Sequence, residues 1–121
     1  MIRAIGRIDR DRRWSAYSSK WSYLEVARAL KKDGKTPEVI ALDLQELRSH
    51  NITFQSVTDE LIINAEKLVG TSSLYAADSL HVSTFLSLNK TYTLDGFVCD
   101  DMHYERLKPY VPVIKLNQLR V

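Results

Sequence analysis

Short β-prone runs alternate with amphipathic helical stretches along most of this chain of 121 residues. The β-prone runs are residues 14–18, 52–57, 97–99 and 113–116, and between them apolar residues recur at the spacing of one helical face. Strands that are separated by helices pair in parallel, because each crossover helix returns the chain to the end of the sheet at which the previous strand began. The sequence therefore predicts an α/β fold with a mainly parallel sheet covered by helices on both faces.

Capping residues and glycines mark where the predicted helices begin and end. Ser18 or Ser19 can cap the first helix, and Asp33-Gly34 ends it. Thr36 followed by Pro37 opens the second helix, because Thr accepts a hydrogen bond from the first turn and Pro suits the first helical position. The predicted inward faces of four helices carry Trp21, Leu24, Ala27 and Leu30; Ile40, Leu44 and Leu47; Leu61, Ile62, Ala65, Leu68 and Val69; and Ala77, Leu80, His81, Thr84, Phe85 and Leu88.

The composition is that of one soluble globular domain. With 45% hydrophobic residues and neither a repeat nor a linker-like segment, the chain is expected to form a single domain over residues 1–121. No uncharged stretch approaches the roughly 20 apolar residues of a membrane span, and no apolar signal core follows the N-terminus. Cys99 stands alone, so any metal must be bound through oxygen. These features predict a cytoplasmic protein without a membrane partner.

Charge is divided unevenly along the chain. Residues 1–32 hold nine Lys or Arg against three acids, whereas residues 33–121 hold eight against twelve. The basic segment suits a nucleic acid backbone, and it is equally consistent with a solvated face. Within it, Ile2, Ile5 and Ile8 recur at every third position, which predicts a short helix.

Glu25 is the first of four acids that stand out as candidate metal ligands. Leu24 and Ala27 flank it on the predicted inward face, so we expect its carboxylate on or near that face. The alternative is a boundary acid that pairs with a basic neighbour such as Arg28 or Arg13.

The other three acids lie at the ends of predicted elements. Asp78 opens an apolar helix, and Asp100 with Asp101 follows directly on the strand 97–99. In an α/β fold these positions meet at one end of the sheet, where carboxylates can hold a hard divalent cation. Each has a structural alternative. An acid in a first helical turn is stabilised by the helix dipole, and Asp100 or Asp101 can cap the segment that begins at Met102.

The sequence motifs around these acids are more specific evidence of a family than any single acid. Residues 78–83 read Asp-Ser-Leu-His-Val-Ser, and residues 99–101 read Cys-Asp-Asp at the end of a short strand. The order of these two motifs resembles that in the PIN-domain ribonucleases, whose usual motifs are Asp-Ala-x-His-x-Ala and, later in the chain, a strand that ends Thr-x-Asp. Ser therefore replaces Ala in the first element, and Cys replaces Thr in the second. The register makes Asp101 the counterpart of the family's acid, with Asp100 as the alternate.

The resemblance covers most of the chain after residue 14. Residues 17–30 look like the family's Ser-Ser…Glu-x-x-x-x-Leu helix, which places Glu25 on the family's acidic position. The resemblance implies a PIN-like three-layer α/β/α sandwich in which Glu25, Asp78 and Asp101, with Asp100 as the alternate, bind Mg²⁺ or Mn²⁺. The implied activity is hydrolysis of RNA phosphodiester bonds, as in toxins of the VapC type, which an antitoxin protein neutralises.

The chain departs from the family at its beginning. The family opens with a central strand that ends in an acid, and too few residues precede Tyr17 to supply it. Asp9 and Asp11 are better interpreted as solvated charges than as substitutes for that acid. We therefore expect an N-terminally truncated sheet whose unpaired edge favours a homodimer. The same gap supports the alternative of a PIN-like protein without catalysis that binds RNA or protein, and a third interpretation is an unrelated α/β domain.

Overall fold

The computed structural model describes residues 15–118, except for the side chain of Asp101. The helix predicted around Ile2, Ile5 and Ile8 lies outside the described residues. Asp9, Asp11 and Arg13, which the sequence offered as possible partners or substitutes, lie outside them as well.

A boundary between Ser56 and Val57 divides the chain into two compact units. The N-terminal unit is described from residue 15 to residue 56, and the C-terminal unit from residue 57 to residue 118. Each unit contains one pair of strands and its own helices.

The N-terminal unit is a strand pair joined by two helices. Its elements are β1 Ala16–Ser19, α1 Trp21–Lys32, α2 Pro37–Ser49 and β2 Ile52–Gln55. The two strands pair in parallel along their whole lengths, from Ala16 opposite Ile52 to Ser19 opposite Gln55. The two helices pack against each other. Both strands and their parallel pairing confirm the sequence prediction for this part of the chain.

Local hydrogen bonds lie at the ends of these helices, but the predicted cap of α1 differs, because its N-cap is Lys20, whose side chain makes no capping hydrogen bond. The Ser19 hydroxyl accepts a hydrogen bond from the Trp21 N–H at 3.1 Å. The Thr36 hydroxyl accepts one from the Val39 N–H at 3.3 Å, so Thr36 satisfies a donor that the first turn of α2 leaves unpaired. Beyond the end of α1, Gly34 adopts a φ of 83°, a left-handed conformation that suits glycine.

The buried face of α1 differs from the predicted one. Ser22 is the buried residue of this helix, and its Oγ is hydrogen bonded to Ser18 Oγ of β1 at 2.7 Å. Beside it, the Tyr23 ring lies 4.4 Å from the Phe54 ring of β2. These contacts turn Ser22 and Tyr23 inward, so the prediction of Trp21 and Leu24 as inward residues is wrong, and both are exposed.

The C-terminal unit contains three α-helices and a second parallel strand pair. Its elements are α3 Asp59–Thr71, α4 Ala76–Tyr92, β3 Phe97–Cys99, α5 Asp101–Leu107, β4 Val113–Lys115 and a 3₁₀ turn at Leu116–Gln118. Phe97 lies opposite Val113 and Cys99 opposite Lys115, again in parallel. The order of elements and the parallel pairing are those predicted from sequence.

Helix α4 supplies most of the core of this unit. One cluster of buried side chains joins α4 to the segments around it: Leu74, Val82, Phe85, Leu107 and Val111. A second cluster joins α3 to α4 through Leu61, Ala65 and Leu80. The Ser83 hydroxyl adds a buried hydrogen bond to the Leu61 carbonyl oxygen at 2.8 Å. Burial of Leu80, Thr84, Phe85 and Leu88 confirms the predicted inward face of α4.

The predicted inward face of α3 is only partly correct. Leu61 and Ala65 are buried, and Leu68 packs against the core, but Ile62 and Val69 are exposed. The core cluster on α3 is therefore a narrow row at positions 61, 65 and 68, because α4 covers one side of the helix.

The chain is an α/β protein with two short parallel sheets, each of two strands, within the described residues. None of the helices between residues 15 and 118 has both the length and the apolarity that a membrane span requires.

Candidate functional site

Asp78 is a largely buried acid at the start of a long helix. It lies in the first turn of α4, where the helix dipole favours a negative charge, and its side chain is 14% exposed. Tyr75, the N-cap residue, has extended backbone angles and makes no capping hydrogen bond through its side chain. The carboxylate thus lies near the positive end of the helix dipole and largely away from bulk water.

Arg106 is the cation that faces Asp78. Its Nη2 lies 3.2 Å from Asp78 Oδ2, and its side chain is 34% exposed. The guanidinium carbon lies 4.7 Å from the centroid of the Tyr75 ring, within the range of a cation–π contact. Arg106 belongs to the last turn of α5, which begins at Asp101 directly after β3. The ion pair therefore joins the last turn of α5 to the first turn of α4.

Three buried polar atoms, on Asp78, on the next residue along the helix and on Arg106, make no hydrogen bond with any residue that the structure describes. They are Asp78 Oδ2, Ser79 Oγ and Arg106 Nε. The Oδ2 to Nη2 distance is that of an ion pair, but the two groups are not aligned for a hydrogen bond. Each unsatisfied buried group costs about 1–3 kcal/mol. Native proteins keep few of them, and each calls for an explanation such as strain, a catalytic role, or a bound water or ion.

Asp100 has a structural role that the sequence left open. It is the N-cap of α5, and its Oδ1 accepts hydrogen bonds from the His103 backbone N–H at 3.1 Å and from His103 Nδ1 at 2.6 Å. The hydrogen bond from the His103 side chain holds the pKa of the Asp100 carboxyl below its ordinary value. The interpretation of Asp100 as a helix cap is confirmed, and the same oxygen is engaged by the imidazole.

Asp101 is the first residue of α5, one position beyond the cap. The structure describes its backbone, which continues directly from β3 through Asp100 into the helix. Asp101 thus belongs to the same helix as Arg106, the partner of Asp78.

Glu25 does not lie on the buried face of its helix. It is exposed on α1 of the N-terminal unit, so the expectation of an inward carboxylate is wrong. The reason is the orientation of α1: contacts of Ser22 and Tyr23 with the two strands define the inward side, and Glu25 falls outside it. Asp78, Asp100 and Asp101 belong to the C-terminal unit.

The fit of a divalent metal centres on Asp78. Among the described residues, no three His, Cys, Asp or Glu side chains form a group that could hold a metal ion. Carboxylate oxygens are the ligands that Mg²⁺ and Mn²⁺ prefer, but Asp78 Oδ2 is ion-paired with Arg106, so the described side chains alone do not make a site for a divalent ion. Asp100 fits less well, because His103 already uses its Oδ1.

Arg106 and Ser79 are the site residues that sequence reasoning missed. Arg106 follows Asp101 within a short helix, and nothing in the local pattern shows that this helix packs against the start of α4. Ser79 was visible as the Ser in Asp78-Ser79, a hydroxyl at a position that an apolar helix face would fill with Ala. His81, on the predicted inward face of α4, is half-buried.

Neither a protein-family model, nor a curated protein, nor a solved structure matches this chain.

Proposed function

We propose that this chain is a metal-dependent endoribonuclease of the PIN or VapC toxin type, with its active site at the first turn of α4 and the end of β3. The observation that carries the proposal is that Asp78 and Ser79 each hold a buried polar atom without a hydrogen bond from a described residue, and that Arg106, the ion-pair partner of Asp78, holds a third. Two of these residues belong to the motif that resembles the family. An unsatisfied group of this kind is costly for stability and is typical of a site that binds a ligand.

The chain's residues have distinct parts in the proposed reaction. Asp78, with Asp101 from the start of α5, would hold Mg²⁺ or Mn²⁺ through carboxylate oxygens. A divalent cation bound there supplies an activated water and offsets the charge that develops on the phosphate. Arg106 adds a positive charge beside the Asp78 carboxylate, and the Arg106 side chain is partly exposed to solvent. No side-chain nucleophile is needed for this chemistry.

The other parts of the proposal come from the resemblance. They are the PIN-like three-layer sandwich, a contribution of Glu25, an antitoxin partner and a homodimer. The α/β class and the two parallel strand pairs are compatible with the sandwich. The exposure of Glu25 makes Asp78 the stronger residue for a test.

The test is cleavage of single-stranded RNA by the purified full chain in the presence of Mn²⁺. We expect cleavage that EDTA abolishes and that Asp78→Asn removes. The matched control is Asp59→Asn, because Asp59 is also an acid in the first turn of a helix but is exposed. Cleavage that persists unchanged in Asp78→Asn would show that the activity does not belong to this site.

A PIN-like protein that binds RNA without cutting it is the second candidate. It is favoured by the engagement of Asp78 and Asp100 by basic groups, since Arg106 is ion-paired with Asp78 and His103 is hydrogen bonded to Asp100. Fluorescence anisotropy with the same RNA separates the two candidates. Binding of RNA with neither cleavage nor Mn²⁺ binding supports the second candidate and excludes the first.

A further inference from the structure

Tyr104 of α5 has two lysine side chains beside its ring. Lys115 Nζ lies 4.5 Å from the ring centroid, and Lys108 Nζ lies 5.8 Å from it. Both distances are within the range of a cation–π contact, so the ring attracts both ammonium groups. None of the three residues is buried. We call Tyr104, Lys108 and Lys115 the Tyr104 cluster.

The fold places the Tyr104 cluster at the carboxyl end of the β3–β4 sheet. Lys115 is the last residue of β4, and it lies opposite Cys99, the last residue of β3. Tyr104 belongs to the helix that follows β3. Open α/β sheets bind their ligands beside the carboxyl ends of the strands, so the position of the cluster favours ligand binding.

Positive charge predominates in the Tyr104 cluster. Glu105 Oε2 lies 2.6 Å from Lys108 Nζ, but the Glu105 side chain is 71% exposed, and ion pairs between exposed groups contribute little free energy. No acid within the described part of the chain forms an ion pair with Lys115. Lysine side chains are flexible and cation–π contacts at exposed sites are weak, so both ammonium groups can turn from the ring to an incoming anion.

We propose that the Tyr104 cluster binds single-stranded RNA, with Lys108 and Lys115 on phosphate groups and a nucleobase stacked on the Tyr104 ring. An aromatic ring beside cations suits a single strand, because its unpaired bases stack on the ring while its phosphates meet the positive charges. The inference rests on the proposed function for the choice of RNA as ligand. It adds an RNA contact that does not include Asp78 and needs no metal ion.

The experiment is fluorescence anisotropy of a labelled oligouridylate of about 12 nucleotides with the full chain in EDTA, where metal-dependent cleavage does not occur. We expect Tyr104→Leu to weaken binding about tenfold, and Tyr104→Phe, which keeps the ring, to stay within about twofold of wild type. Lys115→Gln should weaken binding about threefold and reduce the salt dependence of log affinity by about 0.7, the value for one phosphate contact on a single strand. Glu105→Gln should tighten binding about twofold, because Lys108 loses its acidic partner.

Lys90→Gln and Tyr92→Leu are the matched controls, because each removes an exposed residue of the same type from the same unit. Both should bind the RNA within about twofold of wild type. The proposal is overturned if these controls weaken binding as much as Lys115→Gln and Tyr104→Leu do, or if the wild-type chain does not bind the RNA.

The outcomes separate this inference from the proposed function. If Tyr104→Leu and Lys115→Gln bind RNA as wild type does, while wild type cleaves RNA with Mn²⁺, the Tyr104 cluster is excluded and the proposed function stands. If both variants bind more weakly in EDTA and wild type does not cleave with Mn²⁺, the cluster stands and the nuclease is excluded.

A second measurement covers the case in which Tyr104→Leu does not fold. The ring-proton signals of Tyr104 in the wild-type chain, assigned by comparison with Tyr104→Phe, are followed by NMR during titration with the same RNA. A nucleobase stacked on the ring predicts an upfield shift of these signals as the RNA saturates the chain. Ring signals that keep their positions at saturating RNA would contradict the stacking of a base on Tyr104.

Discussion

Arg106 Nη2 lies 3.2 Å from Asp78 Oδ2 and joins the last turn of α5 to the first turn of α4. The pair is unequal, because the Asp78 side chain is 14% exposed and the Arg106 side chain 34%. Removing the cation leaves a charge in a mostly buried place, whereas removing the acid leaves a cation that water can reach. Substitution of Arg106 should therefore lower the free energy of unfolding more than substitution of Asp78.

A double-mutant cycle on this pair measures the difference. We expect Arg106→Gln to lower the free energy of unfolding by about 1–3 kcal/mol, and Asp78→Asn by less than about 1 kcal/mol. The double variant should be more stable than the sum of the single changes implies, by about 1 kcal/mol. Urea denaturation of the four proteins gives these values. A coupling energy near zero would show that the ion pair contributes nothing to folding.

Protonation of Asp100 should contribute to the loss of folding stability at low pH. Its pKa is lowered in the folded chain from an ordinary value of 3.8, first by the side-chain hydrogen bond from His103. A lowered pKa stabilises the folded chain above the unfolded value, and the stabilisation is lost as the pH falls through the folded value. We expect unfolding free energy to fall less steeply below about pH 4 in Asp100→Asn than in wild type.

Two controls accompany the measurement on Asp100. Asp95→Asn removes one exposed acid of the same unit. Its unfolding free energy should fall below about pH 4 as steeply as that of wild type. In His103→Gln, NMR titration should show the Asp100 pKa nearer its ordinary value, because the largest cause of its lowering is gone. An Asp100 pKa that is unchanged in His103→Gln would contradict this origin.

Gly96 and Gly70 should respond in opposite ways to alanine. A Cβ at Gly96 would lie 2.6 Å from Ile114 Cδ1, 2.7 Å from Ile114 Cγ1 and 3.1 Å from the Pro112 carbonyl oxygen. Gly96→Ala should therefore destabilise the chain by about 1–3 kcal/mol through overpacking. Nothing lies within 4 Å of a Cβ at Gly70 in α3, so Gly70→Ala should stabilise the helix by about 0.5–1 kcal/mol. Thermal or urea unfolding of both variants checks the two signs.

Leu107 tests the position of the core in the C-terminal unit. Its side chain is 2% exposed and packs in the cluster with Phe85 and Val111, so Leu107→Ala should cost about 2–5 kcal/mol. Leu42 is 64% exposed, and Leu42→Ala should change stability by less than about 0.5 kcal/mol. Equal effects of the two substitutions in urea denaturation would mean that α5 does not pack as described.

The strands and helix ends could be predicted because they depend on short stretches of sequence. Thr36 before Pro37 begins α2, Gly34 follows α1, and each of the four β-prone runs overlaps a strand. Parallel pairing followed from the alternation of strands and helices, which leaves few other topologies open.

The buried side of α1 and the partner of Asp78 could not be predicted in this way. Ser22 is inward because Ser18 lies beside it, and a hydrogen bond between two hydroxyls leaves no apolar pattern to detect. Arg106 reaches Asp78 because α5 packs beside the start of α4, which is a relation between distant parts of the chain. Both depend on tertiary contacts, and periodicity within a single helix does not encode them.

The most direct test of the central claim is the initial rate of Mn²⁺-dependent RNA cleavage by Asp78→Asn compared with Asp59→Asn. Both changes remove one acid from the first turn of a helix in the C-terminal unit, but Asp78 is the acid at the proposed site. We predict that Asp78→Asn lowers the rate at least about 100-fold, whereas Asp59→Asn stays within about twofold of wild type. Equal rates for the two variants would contradict the assignment of the active site to Asp78.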